Sequence, residues 1–241
     1  MGMPVTVEII DAAATKGTLA EIFSYFEYID EKFSTYKESS EISSINRREI
    51  TLEQASADMQ TVFALADQTR QQTNGYFDIA RNGIYDPSGL VKGWAIYNAA
   101  EILRRKKFEN YYVDAGGDVQ AAGKNSRGQD WRVGIRNPFD PNEIIKVLFI
   151  HDGGIATSGT YVRGQHIYNP KNDGQLASDI VSLTVIGPNV YEADRFATAA
   201  FAMGKAGIVF IENLDGFEGY LIDQNRQATF TSGFERYVIH D

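Results

Sequence analysis

A mixed α+β fold is what the sequence predicts, and three patterns carry the prediction. Apolar residues recur at helical intervals in several segments, most clearly at Leu19, Ile22, Phe23, Phe26, Ile29 and Phe33. Elsewhere they alternate with polar residues or cluster in short runs bounded by glycine, as strands do. The two kinds of segment do not alternate strictly along the chain, which argues against a doubly wound parallel sheet.

In chain order, Val5, Val7 and Ile9 alternate like a half-buried strand. Thr18-Leu19-Ala20-Glu21 has capping-box spacing, and the apolar stripe that follows it predicts a helix with one buried face. Residues 39–46 read as a short capped turn or helix, and residues 54–73 as a second long helix stopped by Asn74-Gly75. A third helix is expected over 92–107. Its basic end, Arg104-Arg105-Lys106-Lys107, suits the negative end of the helix dipole and reads as a solvated terminus. Strands are expected at 111–115, where Gly116-Gly117 stops the run, and at 131–135, 144–150 and 180–186. Residues 190–203 are helical again, and residues 219–239 suit two closing strands.

Nothing divides the 241 residues into halves: no Pro/Ser-rich linker, charge block or repeat interrupts them, so one compact unit over 1–241 is expected. Apolar residues at 43% and charged residues at 23% support an ordinary globular core. A net charge of -9 offers no basic footprint for a phosphate backbone, which excludes nucleic acid as an expected partner. With no cysteine, disulfides, thiolate catalysis and Cys-ligated zinc are excluded. The N-terminal stretch has no basic segment followed by an apolar run, and no membrane anchor is legible. Cytoplasmic residence is therefore expected for the chain as written, and export would need a leader ahead of Met1.

Four clusters could carry chemistry. Asp194 and Thr198 stand at i and i+4 near the start of a small-residue helix, so a carboxylate and a hydroxyl share one face, a partial site of the kind magnesium accepts. Helix capping or simple surface exposure is the ordinary alternative for that spacing. Thr157-Ser158-Gly159 can donate to phosphate oxygens, and His166 downstream can take a proton at neutral pH. A hairpin turn explains the same residue types. Residues 86–94 place a glycine-rich turn, with Gly89 and Lys92, at a helix start, where anions are attracted and exposed carbonyls can bind cations. Gly116-Gly117-Asp118 lets backbone approach a ligand closely. None of these is a Walker A or dinucleotide fingerprint.

Taken in order, the clusters resemble the ApbE-type FAD:protein FMN transferases over nearly the whole chain. Phe33-Ser34-Thr35-Tyr36 looks like the family's F-S-x-Y element, and residues 40–46 like its S-E-[IL]-S-x-[IL]-N segment. Gly75-Tyr76-Phe77-Asp78 is similar to G-x-F-D, and residues 86–93 to D-x-G-G-[IL]-A-K-G. Gly116 to Asp118 matches G-G-D, residues 156–159 match A-T-S-G, and residues 193–198 match A-D-x-x-A-T.

The resemblance implies mixed or antiparallel sheets with packed helices, an FAD cleft between two intimate lobes, and magnesium at the diphosphate. It implies Asp194, Thr198 and a backbone carbonyl at Gly89 as metal ligands. It implies an FAD pocket shaped by Ser34, Tyr36, Asp78, Lys92, Gly116, Gly117, Asp118, Thr157, Ser158 and Gly159. His166 is the implied base, and a client flavoprotein with an acceptor Thr or Ser is the implied partner. One segment departs from the family pattern H-x-x-D-P-[RK]-T-G. Here His166-Ile167-Tyr168-Asn169-Pro170-Lys171 carries Asn in place of Asp and is followed by one extra residue before glycine. An FAD pyrophosphatase and a non-catalytic flavin-binding protein are therefore the alternative expectations.

Overall fold

The computed structural model describes residues 2–160, 167–172 and 179–239. The first half runs β1 (Val5–Ile9), α1 (Lys16–Phe33), α2 (Glu41–Asn46), α3 (Ala57–Gln72), the short hairpin β2 (Ala80–Arg81) and β3 (Ile84–Tyr85), then α4 (Ser88–Arg105). The second runs β4 (Tyr111–Ala115), β5 (Asp118–Ala122), β6 (Trp131–Asn137), β7 (Asp140–Ile150), β8 (Gly153–Gly159) and β9 (Ile180–Gly187). It closes with α5 (Val190–Ala202), α6 (Gly207–Glu212), β10 (Glu218–Asp223) and β11 (Ala228–Phe230). Among the described residues no helix is long and apolar enough to cross a membrane.

Seven strands form one sheet in the order β1-β4-β5-β8-β9-β10-β11, with every neighbouring pair antiparallel. The α+β expectation holds. Because successive strand residues point to opposite faces, the central strands feed two cores. On β4, Tyr111, Val113 and Ala115 face the core made with α1, α3 and α4, while Tyr112 points the other way. On β10, Leu221 faces α5 and α6, whereas Tyr220 and Ile222 meet the β6–β7 ribbon. The helices thus cover one face and the ribbon the other. Each large aliphatic side chain so buried is worth about 1.5–3 kcal/mol, which fixes register, since a one-residue slip would exchange the two faces.

Several boundaries differ from the sequence-based expectation for physical reasons. α1 starts at Lys16 rather than Thr18, because the Thr15 hydroxyl accepts from the Thr18 N–H at 3.2 Å and takes the capping role. α4 starts at Ser88, not 92: the Asp86 carboxylate accepts from the Ser88 N–H at 3.0 Å, and Gly89 and Gly93 lie inside the helix rather than in a turn. β8 is a strand despite its Gly-Gly-Ile-Ala-Thr-Ser-Gly sequence. Its glycines answer to packing: a Cβ at Gly154 would lie 1.9 Å from the Val190 backbone nitrogen at the start of α5. The tail contributes β10 and β11, after which a short 3-10 turn spans Phe234–Tyr237.

α5 is held against α3 by a buried arginine. Arg195, 4% exposed, pairs with Glu192 and donates to the Thr69 hydroxyl at 3.2 Å and to Gln72. Arg195→Met is expected to cost about 2 kcal/mol, because partners that depend on a charged donor would be left unsatisfied. Urea unfolding monitored by circular dichroism would measure this.

Candidate active site

A cavity of about 680 Å³ opens where α4 and α5 meet the sheet, a size usual for small-molecule sites. Its wall contains Asp78, Gly89, Lys92, Gly116, Gly117, Asp118, Thr157, Ser158, Gly159, Asp194 and Thr198. These residues come from sequence positions up to 120 apart, and the topology accounts for their meeting. β5 and β8 are neighbours in the sheet, and α5 packs across β8 with α4 alongside it.

At the floor, two helices present matching i, i+4 pairs. α4 offers Gly89 and Gly93, and α5 offers Asp194 and Thr198. The Gly93 N–H donates to Asp194 Oδ2 at 2.7 Å, and the Thr198 hydroxyl donates to the Gly89 carbonyl at 3.1 Å. Glycine is required at both positions. A Cβ on residue 93 would lie 2.6 Å from Asp194 Cβ and 2.7 Å from the Val190 carbonyl, and one on residue 89 would lie 2.9 Å from Thr198 Cγ2. Ser158 Oγ stands 3.5 Å from Thr198 Oγ1 and joins this group of oxygens.

Asp118 and Asp194 are both buried, at 1% and 3% exposure. Asp118 Oδ1 accepts from the Thr157 N–H at 3.0 Å, and its Oδ2 faces the Lys92 ammonium at 2.6 Å. The same ammonium lies 3.8 Å from Asp194 Oδ1. Burial pushes the Asp194 carboxyl well above the ordinary carboxylate range. The nearby Asp118 pushes the same way, while Lys92 and the Gly93 N–H pull it partly back. Among the described residues no group of three or more His, Cys, Asp or Glu side chains is placed to hold a metal. The oxygens gathered here instead are carboxylate, hydroxyl and backbone carbonyl, the hard donors that magnesium selects.

The upper wall is built from turns. Gly116 and Gly117, both at positive φ, close β4 onto β5, and the Gly117 N–H donates to Asp114 Oδ1 at 3.0 Å. Met3 packs beside Gly116, so the N-terminal segment also reaches the cavity. Across from it, the Tyr168 hydroxyl donates to the Asp78 carbonyl at 2.9 Å, and its ring carries the Arg81 guanidinium 4.4 Å from the centroid. Lys171 lies over the Tyr76 ring at 4.8 Å. These contacts tie residues 167–172 to the β2–β3 hairpin.

Two expected pocket residues are not brought to the cavity. Ser34 ends α1, its N–H bonded to the Asp30 carbonyl at 3.2 Å, and Tyr36 in the following turn is 91% exposed. The turn that terminates α1 directs both away from the wall. His166 lies outside the described residues, but Ile167 and Tyr168, which follow it, line the cavity. Arg81, Asn82, Gly134 and Arg136 line it too, without having been singled out in the sequence. Arg136 sits on a ribbon strand where exposed and buried residues alternate, so by pattern it reads as an ordinary outward charge.

Comparison with known proteins agrees with this architecture. The ApbE family model matches residues 1–86 and 81–221. The chain belongs to the ApbE family. It is 25% identical over 290 aligned positions to an FAD:protein FMN transferase of Haemophilus influenzae, spanning 92% of this chain and 84% of that one. It is 30% identical over 168 positions to the Salmonella typhimurium FAD:protein FMN transferase, spanning 65% of this chain but only 48% of that one. The flavin transferase ApbE from Vibrio cholerae superposes with a TM-score of 0.85 at 24% identity, over 98% of this chain and 96% of that one. The apbe protein from Thermotoga maritima gives 0.86 at 22% identity, over 99% and 97%.

Proposed function

We propose that this chain is a magnesium-dependent FAD:protein FMN transferase. It would attach FMN from FAD through a phosphoester to a Thr or Ser hydroxyl of a client flavoprotein and release AMP. The observation that carries the reading is the facing pair of helices, which turns Asp194, Thr198 and the Gly89 carbonyl toward one cavity beside Asp118 and Lys92. Family membership and the names of the relatives support the same reading.

The donor set fits magnesium. Every candidate ligand is oxygen, and the enclosed Asp118 Oδ2 lies 2.6 Å from the Lys92 ammonium beside the Asp194 carboxyl. Asp194, Thr198 and the Gly89 carbonyl would hold the ion. When bound, it would offset the diphosphate charge that a chain of net charge -9 otherwise repels.

The remaining work is positioning, as phosphoryl-type transfers require. The Gly116-Gly117 turn and Thr157-Ser158-Gly159 line the wall with backbone and hydroxyl donors, Asp78 and Lys92 complete it, and aromatic groups at Tyr76 and Tyr168 supply apolar surface. The client hydroxyl oxygen attacks the phosphorus on the FMN side, the P–O bond to AMP breaks, and the hydroxyl proton passes to His166. Asn169 keeps the turn that follows His166, since its Oδ1 accepts from the Lys171 N–H at 2.9 Å as an aspartate would.

Incubation with FAD, MgCl2 and a client fragment, followed by intact-mass measurement, tests the reading. An FMN adduct on the client with stoichiometric AMP supports transfer. Free FMN without adduct would indicate an FAD pyrophosphatase, and retained FAD with no AMP a flavin-binding protein.

The Asp194 carboxyl gives a pH prediction. Its value in the folded protein is raised above that in the unfolded chain, so between the two the folded state holds more protons. Metal-free stability contributed by this group is present at low pH and is lost as pH rises from the ordinary carboxylate range toward neutrality. Metal binding needs the deprotonated form. The rise in melting temperature on adding Mg2+ is therefore expected to be larger at pH 8 than at pH 5.5, as differential scanning fluorimetry can read.

A further inference from the structure

Lys92 lines the cavity beside the candidate metal donors, and its charge is already engaged. Its Nζ lies 2.6 Å from Asp118 Oδ2 and 3.8 Å from Asp194 Oδ1. Both carboxyls are buried, whereas the lysine side chain is 20% exposed and reaches the cavity wall. Asp118 Oδ2 is enclosed, and the Lys92 ammonium is its charged partner. One ammonium thus serves two buried carboxyls. A second cation at the same oxygens would repel the first, and lysine is suited to yield because its charge rides on a flexible four-carbon stem.

We propose, resting on the magnesium reading above, that Lys92 is the resident counter-ion of the metal-free site. Paired with Asp118, it competes by its charge with the divalent ion at Asp194, and turns to the substrate diphosphate once the ion is in place. The exchange supplies a counter-charge to the carboxyls before the ion binds and delivers a second cation to the phosphates only after it has bound. It also separates two affinities that would otherwise move together. Without the ammonium, magnesium alone binds better while FAD binds worse.

Titration calorimetry with MgCl2 in the absence of FAD, on the wild type, Lys92→Met and Lys92→Arg, tests the proposal. It is followed by FAD titration at saturating MgCl2. Lys92→Met is expected to bind Mg2+ about tenfold more tightly than the wild type and FAD about tenfold more weakly, the effect of one charge at contact distance. Lys92→Arg should stay near the wild type for Mg2+. Equal or weaker Mg2+ binding by Lys92→Met overturns the exchange. Absence of Mg2+ binding by the wild type and both variants is a different failure: it removes the magnesium reading itself, and the exchange with it. Should Lys92→Met fail to fold, amine-selective acetylation of the wild type with mass-spectrometric readout asks the same question. Mg2+ alone is expected to raise acetylation of Lys92 several-fold and FAD with Mg2+ to suppress it; acetylation unchanged by Mg2+ overturns the proposal.

Discussion

Replacing Asp194 with alanine is expected to abolish metal-dependent turnover, with a loss greater than about 100-fold, because even groups that merely orient a metal ligand cost 10–100-fold when removed. Asp194 is the carboxylate among the three proposed ligands, and it is 3% exposed, so water cannot easily take its place. Its Oδ2 also accepts from the Gly93 N–H, which means that alanine removes a bond between α4 and α5 as well as a ligand. Asp194→Asn separates those effects. An amide oxygen can keep the Gly93 bond, and the side chain keeps its volume, but the charge is gone. Turnover should fall as steeply in Asp194→Asn as in Asp194→Ala, with the fold retained. Release of AMP from FAD across a range of MgCl2 concentrations measures both. Turnover near the wild-type level in either variant would remove Asp194 from the metal site.

The second large effect is on stability. Gly93→Ala should cost about 2–3 kcal/mol even though alanine is the better helix former by about 1 kcal/mol. The added Cβ would meet Asp194 Cβ at 2.6 Å and the Val190 carbonyl at 2.7 Å, neither of them the tip of a flexible chain. The helices must therefore part. Parting them stretches the Gly93–Asp194 hydrogen bond, and nearby the Thr198–Gly89 bond, so magnesium affinity should fall together with stability. For a chain of this size the melting temperature should drop by about 6 °C. Gly216→Ala is the contrast, since its Cβ meets nothing within 4 Å and only the positive φ of 80° opposes it. That change should cost about 1–2 kcal/mol and leave Mg2+ binding untouched. Thermal unfolding and MgCl2 titration on the two variants distinguish a wedge at the site from ordinary backbone strain.

Much of the architecture was legible because local signals agreed with tertiary packing. Ile22, Phe26, Ile29 and Phe33 are buried as their spacing requires, whereas Phe23, one position round the helix, is 40% exposed, and the run from Tyr111 to Ala115 alternates between two cores. β5 and β8 were hidden. β5 is a five-residue Asp-Val-Gln-Ala-Ala run, and the glycine and hydroxyl residues of β8 look like a turn, the need for a glycine at 154 arising only where α5 meets the sheet. Most of the cavity wall was likewise legible through short motifs in a fixed order, Lys92, Asp118 and Asp194 among them. The pairing of Gly89 with Thr198 and Gly93 with Asp194 was not. It depends on how two helices about 100 residues apart are laid against one sheet. Arg136 and Arg81 escaped notice for a related reason: a cavity-facing charge on a strand or hairpin has the same local pattern as a solvent-facing one.

The proposed transfer requires a flavin dinucleotide to enter this cavity with its diphosphate over the oxygen cluster at the α4–α5 junction. Titration of FAD by flavin fluorescence, with MgCl2 and again with EDTA, addresses that directly. Saturable, one-to-one binding is expected, strengthened by at least about tenfold with Mg2+ and lost with excess AMP plus FMN in competition. FAD affinity that is absent with the ion supplied, or identical with and without it, would contradict the account at its base.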